Sequence, residues 1–98
     1  MRRVMVRYTV KPELVETNAR LVEAVFAQLA REQPAGLRYS TFRIADTGTF
    51  VHIAEIDTPD GVNPLLSLAA FEAFTKSVRE RCSEMPVTVD LDAIGAYP

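Results

Sequence analysis

Apolar residues at every second position mark the first segment of the chain as a β-strand. The residues that would share one side of it are Val4, Val6, Tyr8 and Val10. The other side is mixed and carries Arg3, Met5, Arg7 and Thr9. A period of two is typical of a strand that buries one side. We therefore expect a strand from Arg3 to Val10, ended by Pro12.

The pattern then changes to steps of three and four residues, which indicates an amphipathic helix from Glu13 to about Glu32. Its apolar stripe holds Leu14, Asn18, Leu21, Val22, Val25 and Leu29. Asn18 is the polar exception, and its amide needs partners or a ligand to offset the loss of water. Pro12 suits the first turn of this helix, and the sequence "QPAG" closes it.

Two further strands are predicted at Leu37–Ala45 and Thr49–Asp57, joined by a tight "DTG" hairpin in which Gly48 allows a positive φ. A second helix follows, capped by Asn63 or Ser67 and running to about Arg81. Its stripe holds Leu68, Phe71, Phe74, Val78 and Cys82. Pro86 ends it, and the alternating "VTVDLDA" predicts a fourth strand.

The order β-α-β-β-α-β predicts an α+β fold, a ferredoxin-like sandwich with an antiparallel four-stranded sheet, as one domain over residues 1–98. Pairing Ala45 with Thr49 across the hairpin would place Phe42 opposite His52. Both faces of the hairpin then carry apolar residues, although two helices cover only one face. A second copy of the sheet is the simplest cover, so we expect a homodimer through the sheet faces, with His52 in or beside the seam.

Composition narrows the function classes. The 98 residues carry a formal net charge of −2 with 48% hydrophobic residues, and no basic cluster favours nucleic acid as a partner. The lone cysteine excludes an internal disulfide and fits a cytoplasmic protein. We expect no secretory signal and no membrane span. The amino-acid sequence contains no set of metal ligands and no glycine-rich phosphate-binding loop, so we expect no cofactor.

Three stretches resemble the antibiotic biosynthesis monooxygenase family of the dimeric α/β-barrel superfamily: "VRYTVKPE", "RYSTFRIADTGTFVHIAEID" and "LAAFEAFTKSV". The resemblance spans nearly the whole chain and implies a dimeric α/β barrel. In that family the third strand commonly ends Glu-x-Trp, whereas here it ends Glu55-Ile56-Asp57. Haem-degrading relatives carry an asparagine on the first strand and a histidine on the second helix. This chain has Val6 at the first of these positions and an apolar residue, Leu65 or Ala70, at the second.

The candidate catalytic residues are His52, Arg7 and Glu55. His52 could act as a base, because burial lowers its pKa toward the neutral form, or it could be a hydrogen-bonded residue of the dimer seam. Arg7 lies with Met5 on the expected dimer side, where it could stabilise an enolate or form a salt bridge to the partner. Glu55 is expected to pair with Tyr39 across the strands, where the two could orient a substrate, or a Tyr–Glu hydrogen bond could satisfy the buried carboxylate.

The candidate substrate-binding residues are Tyr8, Tyr39, Asn18 and Phe42. We expect Tyr8, Tyr39 and Glu55 on the helix-covered face and Phe42 on the face of His52. Cys82 is expected to be core, and Asn63 a helix cap.

The family resemblance implies a cofactor-independent oxygenase acting on a small aromatic or quinol-like molecule. Non-catalytic small-molecule binding, a structural dimer and other barrel chemistry such as isomerisation stay open. RNA binding is disfavoured, because "TFVHIAEID" lacks the basic-glycine-aromatic start of the RNA motif and the net charge is negative.

Overall fold

A computed structural model describes residues 1–98 and confirms the ferredoxin-like α+β architecture. Four antiparallel strands form one sheet in the order β2-β3-β1-β4. The elements are β1 (Arg2–Val10), α1 (Val15–Glu32), β2 (Leu37–Arg43), β3 (Thr49–Ile56), α2 (Ala69–Lys76), α3 (Val78–Arg81) and β4 (Cys82–Asp90). Short 3₁₀ turns at Pro12–Leu14 and Pro64–Ser67 precede α1 and α2. None of the helices is long and apolar enough to cross a bilayer.

The prediction of one continuous second helix is wrong. Asn63 does act as a cap, because its Oδ1 accepts the N–H of Leu65 at 3.0 Å, but the turn that follows is 3₁₀. Leu68 is then extended, with φ −90° and ψ 127°, and Ser77 leaves the helical region at φ −130°. These two residues divide the predicted helix into three short pieces.

The fourth strand begins earlier than predicted, at Cys82 rather than Val87. Cys82 pairs with Val10 and is buried, so its core position is confirmed although it lies on a strand. Pro86 lies where the pairing of β1 with β4 shifts register between Arg7 and Thr9. β4 is an edge strand. A proline is tolerated at such an irregularity because no backbone hydrogen bond of the sheet requires its missing N–H.

The predicted hairpin register is wrong by one residue. Phe42 pairs with Val51 and Thr41 pairs with His52, because β2 ends at Arg43 and Ile44 donates its N–H to the carbonyl of Thr49. Ala45 therefore belongs to the turn. A one-residue slip exchanges the faces of every side chain on one strand relative to the other.

The turn also differs in which residue takes the positive φ. Asp46 adopts φ 62°, whereas Gly48 is required for a close approach. A Cβ on Gly48 would lie 2.7 Å from the carbonyl oxygen of Val10, whose N–H donates to the Gly48 carbonyl at 2.9 Å. The hairpin turn is thus fastened to the end of β1.

The two faces of the sheet have different surroundings. The helix-covered face contributes Tyr8, Val10 and Phe50 to a core that Val22 and Val25 of α1 and Phe74 of α2 complete. The other side, here called the open face, has no covering element. Its apolar residues are Met5, Phe42, Val51, Ile53, Val87 and Val89. Phe42 is 56% exposed and Val87 is 60% exposed, so this face presents a broad apolar surface to solvent.

Candidate functional site

A cavity of about 240 Å³ lies between the helix-covered face of the sheet and α2 and α3. Its apolar wall includes Val4, Val6, Leu65, Phe71, Phe74 and Val78. Its polar groups come from Tyr8, Tyr39, His52, Asn63, Thr75 and Thr88. A mostly apolar pocket with a few convergent polar groups is typical of a small-molecule site.

His52 is held between two tyrosines from the neighbouring strands. Its Nε2 lies 2.6 Å from the hydroxyl of Tyr8, and its Nδ1 lies 2.6 Å from the hydroxyl of Tyr39. Thr41, directly opposite His52 on β2, adds its Oγ1 at 3.0 Å from Nδ1. Both tyrosines are diagonal neighbours of His52 in the sheet, a spacing that aromatic side chains can bridge.

The hydrogen-bond chain continues away from the cavity into the core. Asn18 of α1 is completely buried and donates from Nδ2 to the Tyr8 hydroxyl at 3.0 Å. Its Oδ1 accepts from Nε of Arg81 at 3.0 Å. Arg81 also donates to the Ser77 hydroxyl and to the Phe74 carbonyl, at 3.0 and 2.7 Å. We call the five residues Arg81, Asn18, Tyr8, His52 and Tyr39 the buried relay.

Burial sets the protonation of these groups. It lowers the pKa of His52 to about 4, so the imidazole is neutral at pH 7. It raises the pKa of Tyr39 to about 12, against a smaller lowering effect of the bond with Thr41, and it raises the pKa of Tyr8 above its usual range. Burial lowers the pKa of Arg81, but an arginine remains charged at neutral pH.

Arg81 is a buried cation that forms no salt bridge. Its guanidinium instead lies 5.5 Å from the centre of the Phe74 ring. Neutral acceptors and the ring face therefore compensate its charge. The positive end of the buried relay is fixed in the core, and its other end reaches the cavity wall.

The structure brings four of the predicted site residues together: His52, Tyr8, Tyr39 and Asn18. Tyr8 and Tyr39 lie on the helix-covered face as predicted. The placement of His52 on the dimer side is wrong, because the register slip moves it to the helix-covered face.

The other three predicted site residues lie on the open face, away from the cavity. Arg7 was expected there and lies between Val51 and Val87. The prediction that Glu55 shares a face with Tyr39 is wrong, because Glu55 is opposite Arg38 and lies 3.3 Å from Arg3. Phe42 does not share a face with His52 either, for the same reason.

Sequence reasoning missed Arg81, Thr41 and Ser77 as members of the site. Arg81 lies seven residues after Phe74 and so falls on the apolar stripe of the predicted helix, as Cys82 does. A charged residue on an apolar stripe indicates a buried hydrogen-bond partner, so the sequence alone could have identified Arg81. Thr41 needed the correct hairpin register, and Ser77 needed the break in the helix.

The cysteine and the acidic residues do not form a second reactive or metal-binding site. Burial raises the pKa of Cys82, which keeps this core thiol protonated. No three side chains of the metal-binding types lie together in the structure.

Solved structures resemble the whole chain. A crystal structure of an antibiotic biosynthesis monooxygenase superimposes with a TM-score of 0.77 at 21% identity, covering 97% of this chain and 100% of that one. The chain has the fold of the antibiotic biosynthesis monooxygenases. This confirms, for the fold, the resemblance seen in the sequence.

Two more solved structures extend the comparison of the antibiotic biosynthesis monooxygenase fold. A variant of SnoaB, a cofactor-independent oxygenase from Streptomyces nogalater, matches with a TM-score of 0.71 at 19% identity, covering 99% of this chain and 96% of that one. A Mycobacterium tuberculosis protein matches with a TM-score of 0.77 at 16% identity, covering 99% and 98%. No protein-family model and no curated protein matches the sequence.

Proposed function

We propose that this chain is a cofactor-independent oxygenase that acts on a small aromatic or quinol-like molecule in the cavity. The observation that carries the proposal is the Tyr8–His52–Tyr39 chain in the wall of an apolar space of about 240 Å³. An apolar cavity of about 150 Å³ accepts benzene, so this one has room for a bicyclic ring system. The shared fold with SnoaB supports the reaction type.

Such a reaction requires an electron-rich substrate, oxygen and a group that stabilises the substrate anion. The substrate gives up two protons and four electrons; O₂ takes the four electrons, one of its oxygen atoms enters the product as a carbonyl, and the other takes up both protons and leaves as water. Tyr39 is the residue that touches the substrate oxygen in this proposal. His52 acts through Tyr39, because both of its ring nitrogens already contact hydroxyl groups.

Oxygen uptake with a panel of phenols, quinols and aryl ketones tests this function, with visible spectra to detect quinone products. Tyr39→Phe should lower kcat by about 10²-fold or more, the usual cost of removing one anion-stabilising donor. Tyr97→Phe is the matched control, because Tyr97 is 99% exposed and does not line the cavity. A Tyr39→Phe variant as active as the parent would contradict the role of Tyr39, and a panel without oxygen uptake would contradict the oxygenase.

The second candidate is non-catalytic binding of the same class of molecule. It is favoured by the complete pairing of the relay, in which no buried side-chain polar atom lacks a partner. A satisfied network can serve as a rigid wall for a ligand without any turnover. Saturable binding of a panel member with no oxygen uptake supports this alternative over the enzyme.

We also propose that two copies associate through the open face, as the sequence suggests. Its apolar residues on all four strands would be removed from water, and Arg7 would then lie in the interface and pair with the partner. Arg7 and Glu55 thus have an interfacial role in this proposal rather than a catalytic one. A cytoplasmic location fits the single, unpaired cysteine.

A further inference from the structure

Arg81, the charged residue of the buried relay, determines which group donates and which accepts in each of its hydrogen bonds. Nε of Arg81 lies 3.0 Å from Oδ1 of Asn18. A guanidinium has donors and no acceptor, so the amide of Asn18 must turn its oxygen toward Arg81. The amide nitrogen then faces Tyr8 and donates to its hydroxyl oxygen across 3.0 Å.

The same order of donor to acceptor continues from Asn18 to Tyr8 and from Tyr8 to His52. The Tyr8 side chain is 2% exposed, and its hydroxyl has only two side-chain partners, Asn18 and Nε2 of His52. If His52 donated to Tyr8 as well, the hydroxyl proton of Tyr8 would have no acceptor. A buried donor without a partner is costly, so Tyr8 donates to Nε2.

His52 then donates from its other nitrogen. A neutral imidazole has one donor and one acceptor, and Nε2 is already the acceptor. The proton lies on Nδ1, which faces the oxygens of Tyr39 at 2.6 Å and Thr41 at 3.0 Å. Because the Tyr39 oxygen accepts this proton, its own hydroxyl proton cannot be donated to His52 and is available to an acceptor in the cavity that Tyr39 lines.

We propose that Arg81 and Asn18 are positioning residues that hold His52 as its Nδ1–H tautomer and thereby make Tyr39 a hydrogen-bond donor to the ligand. The ligand group at this wall is then an acceptor: a ketone or quinone carbonyl, or the oxygen of a phenolate or enolate. The ligand part rests on the proposed function. The tautomer is a property of the protein without ligand.

Nitrogen-15 NMR of the histidine ring measures the tautomer directly, and the single histidine gives one pair of ring-nitrogen signals. At pH 7 we expect a protonated Nδ1 and an unprotonated Nε2, distinguished by their couplings to the ring protons. A proton on Nε2, or a doubly protonated ring, in the unmodified protein overturns the proposal.

Asn18→Asp should reverse the direction of the hydrogen bonds from residue 18 to His52, with almost no change in side-chain shape. The carboxylate still accepts from Arg81, but it can no longer donate, so Tyr8 donates to it and accepts from His52. We expect the proton to move to Nε2. Gln33→Glu is the matched control, because it makes the same chemical change at an exposed residue and should leave the tautomer unchanged. An Asn18→Asp variant that keeps its proton on Nδ1 overturns the proposal.

Two bicyclic probes test the donor at the cavity wall: 1-tetralone, which has a carbonyl acceptor, and tetralin, which has none. Tyr39→Phe should weaken tetralone binding relative to tetralin by about three- to tenfold, the usual effect of one neutral hydrogen bond. Asn18→Asp should produce the same loss, because Tyr39 would then donate to His52. An unchanged ratio of the two Kd values in either variant contradicts the donor role.

The two proposals fail separately. The expected tautomer without oxygen uptake rejects the oxygenase and leaves the positioning role in place. Oxygen uptake with the proton on Nε2 rejects the positioning role alone. If neither probe binds, the proposed ligand class is wrong, and the NMR result still decides the tautomer.

Discussion

At the scale of single residues, His52 links the site to the stability of the fold. Its pKa is about 4 in the folded protein, below the ordinary value of 6.5, because it is buried and neutral. The unfolded chain therefore binds one more proton than the folded chain between these two values. The free energy of unfolding must fall as the pH is lowered through this window.

We expect the His52 contribution to lower the free energy of unfolding by about 2 kcal/mol between pH 7.5 and pH 5. Urea denaturation at the two pH values measures it. His52→Gln removes the titrating group and keeps hydrogen-bonding capacity, so the fall should be about 2 kcal/mol smaller in that variant. Equal falls in the two proteins would contradict a buried neutral imidazole.

The sequence allowed part of the site to be predicted at this scale. Tyr8 and Asn18 follow from periodicity, because alternation and helical spacing place them on buried positions before any tertiary contact is known. The partners of His52 and Glu55 depend on the hairpin register, and a one-residue error assigned each to the wrong face. Local patterns do not fix that register when both faces of a hairpin carry apolar residues.

At the scale of elements, the hairpin turn is bound to the neighbouring strand through Gly48. A side chain there would meet backbone, since the Cβ would lie 2.7 Å from the carbonyl oxygen of Val10. The backbone of Val10 cannot move aside easily, because its N–H already donates to the Gly48 carbonyl. The strands and α1 were predictable from their periods, whereas this contact between a turn and β1 was not.

Gly48→Ala should therefore destabilise the protein by about 1–3 kcal/mol, the typical cost of overpacking. Urea denaturation of the variant measures this loss. Gly95→Ala is the matched control, because a Cβ at Gly95 has no atom within 4 Å, and it should change stability by less than about 0.5 kcal/mol. A Gly48→Ala variant as stable as the parent would show that the turn can shift without loss of the fold.

The second helix shows why some element boundaries escaped prediction. Its apolar stripe is continuous in the sequence, but Leu68 and Ser77 leave the helical conformation. The break at Ser77 allows its hydroxyl to accept from Arg81, and α3 then places the guanidinium beside Asn18. The contact of Arg81 with Asn18 joins residues that are far apart in the sequence, so the pattern of apolar residues alone could not reveal this arrangement.

At the scale of the whole molecule, the open face predicts self-association. Ile53 lies near its middle, between Met5 on β1 and Ser40 on β2. Ile53→Lys would place an unpaired charge in the proposed interface, which is costly to bury. We expect the parent protein to sediment as a dimer at micromolar concentration and the variant to sediment as a monomer.

Leu66→Lys provides the control for this prediction. Leu66 is 69% exposed in the 3₁₀ turn before α2, outside the open face, so a lysine there should leave the dimer intact. Both variants should keep the parent far-ultraviolet circular dichroism. A parent protein that sediments only as single chains would contradict association through the open face.

The absence of tryptophan makes the cavity observable by its own tyrosines. The chain has three tyrosines: Tyr8 and Tyr39 in the cavity wall, and Tyr97, which is 99% exposed. Tyr39 also stacks on Phe26, with ring centres 5.1 Å apart, so its phenol is held in an asymmetric environment. Near-ultraviolet circular dichroism of the unlabelled protein should therefore report the filling of the cavity, with almost no background from other aromatic chromophores of comparable strength.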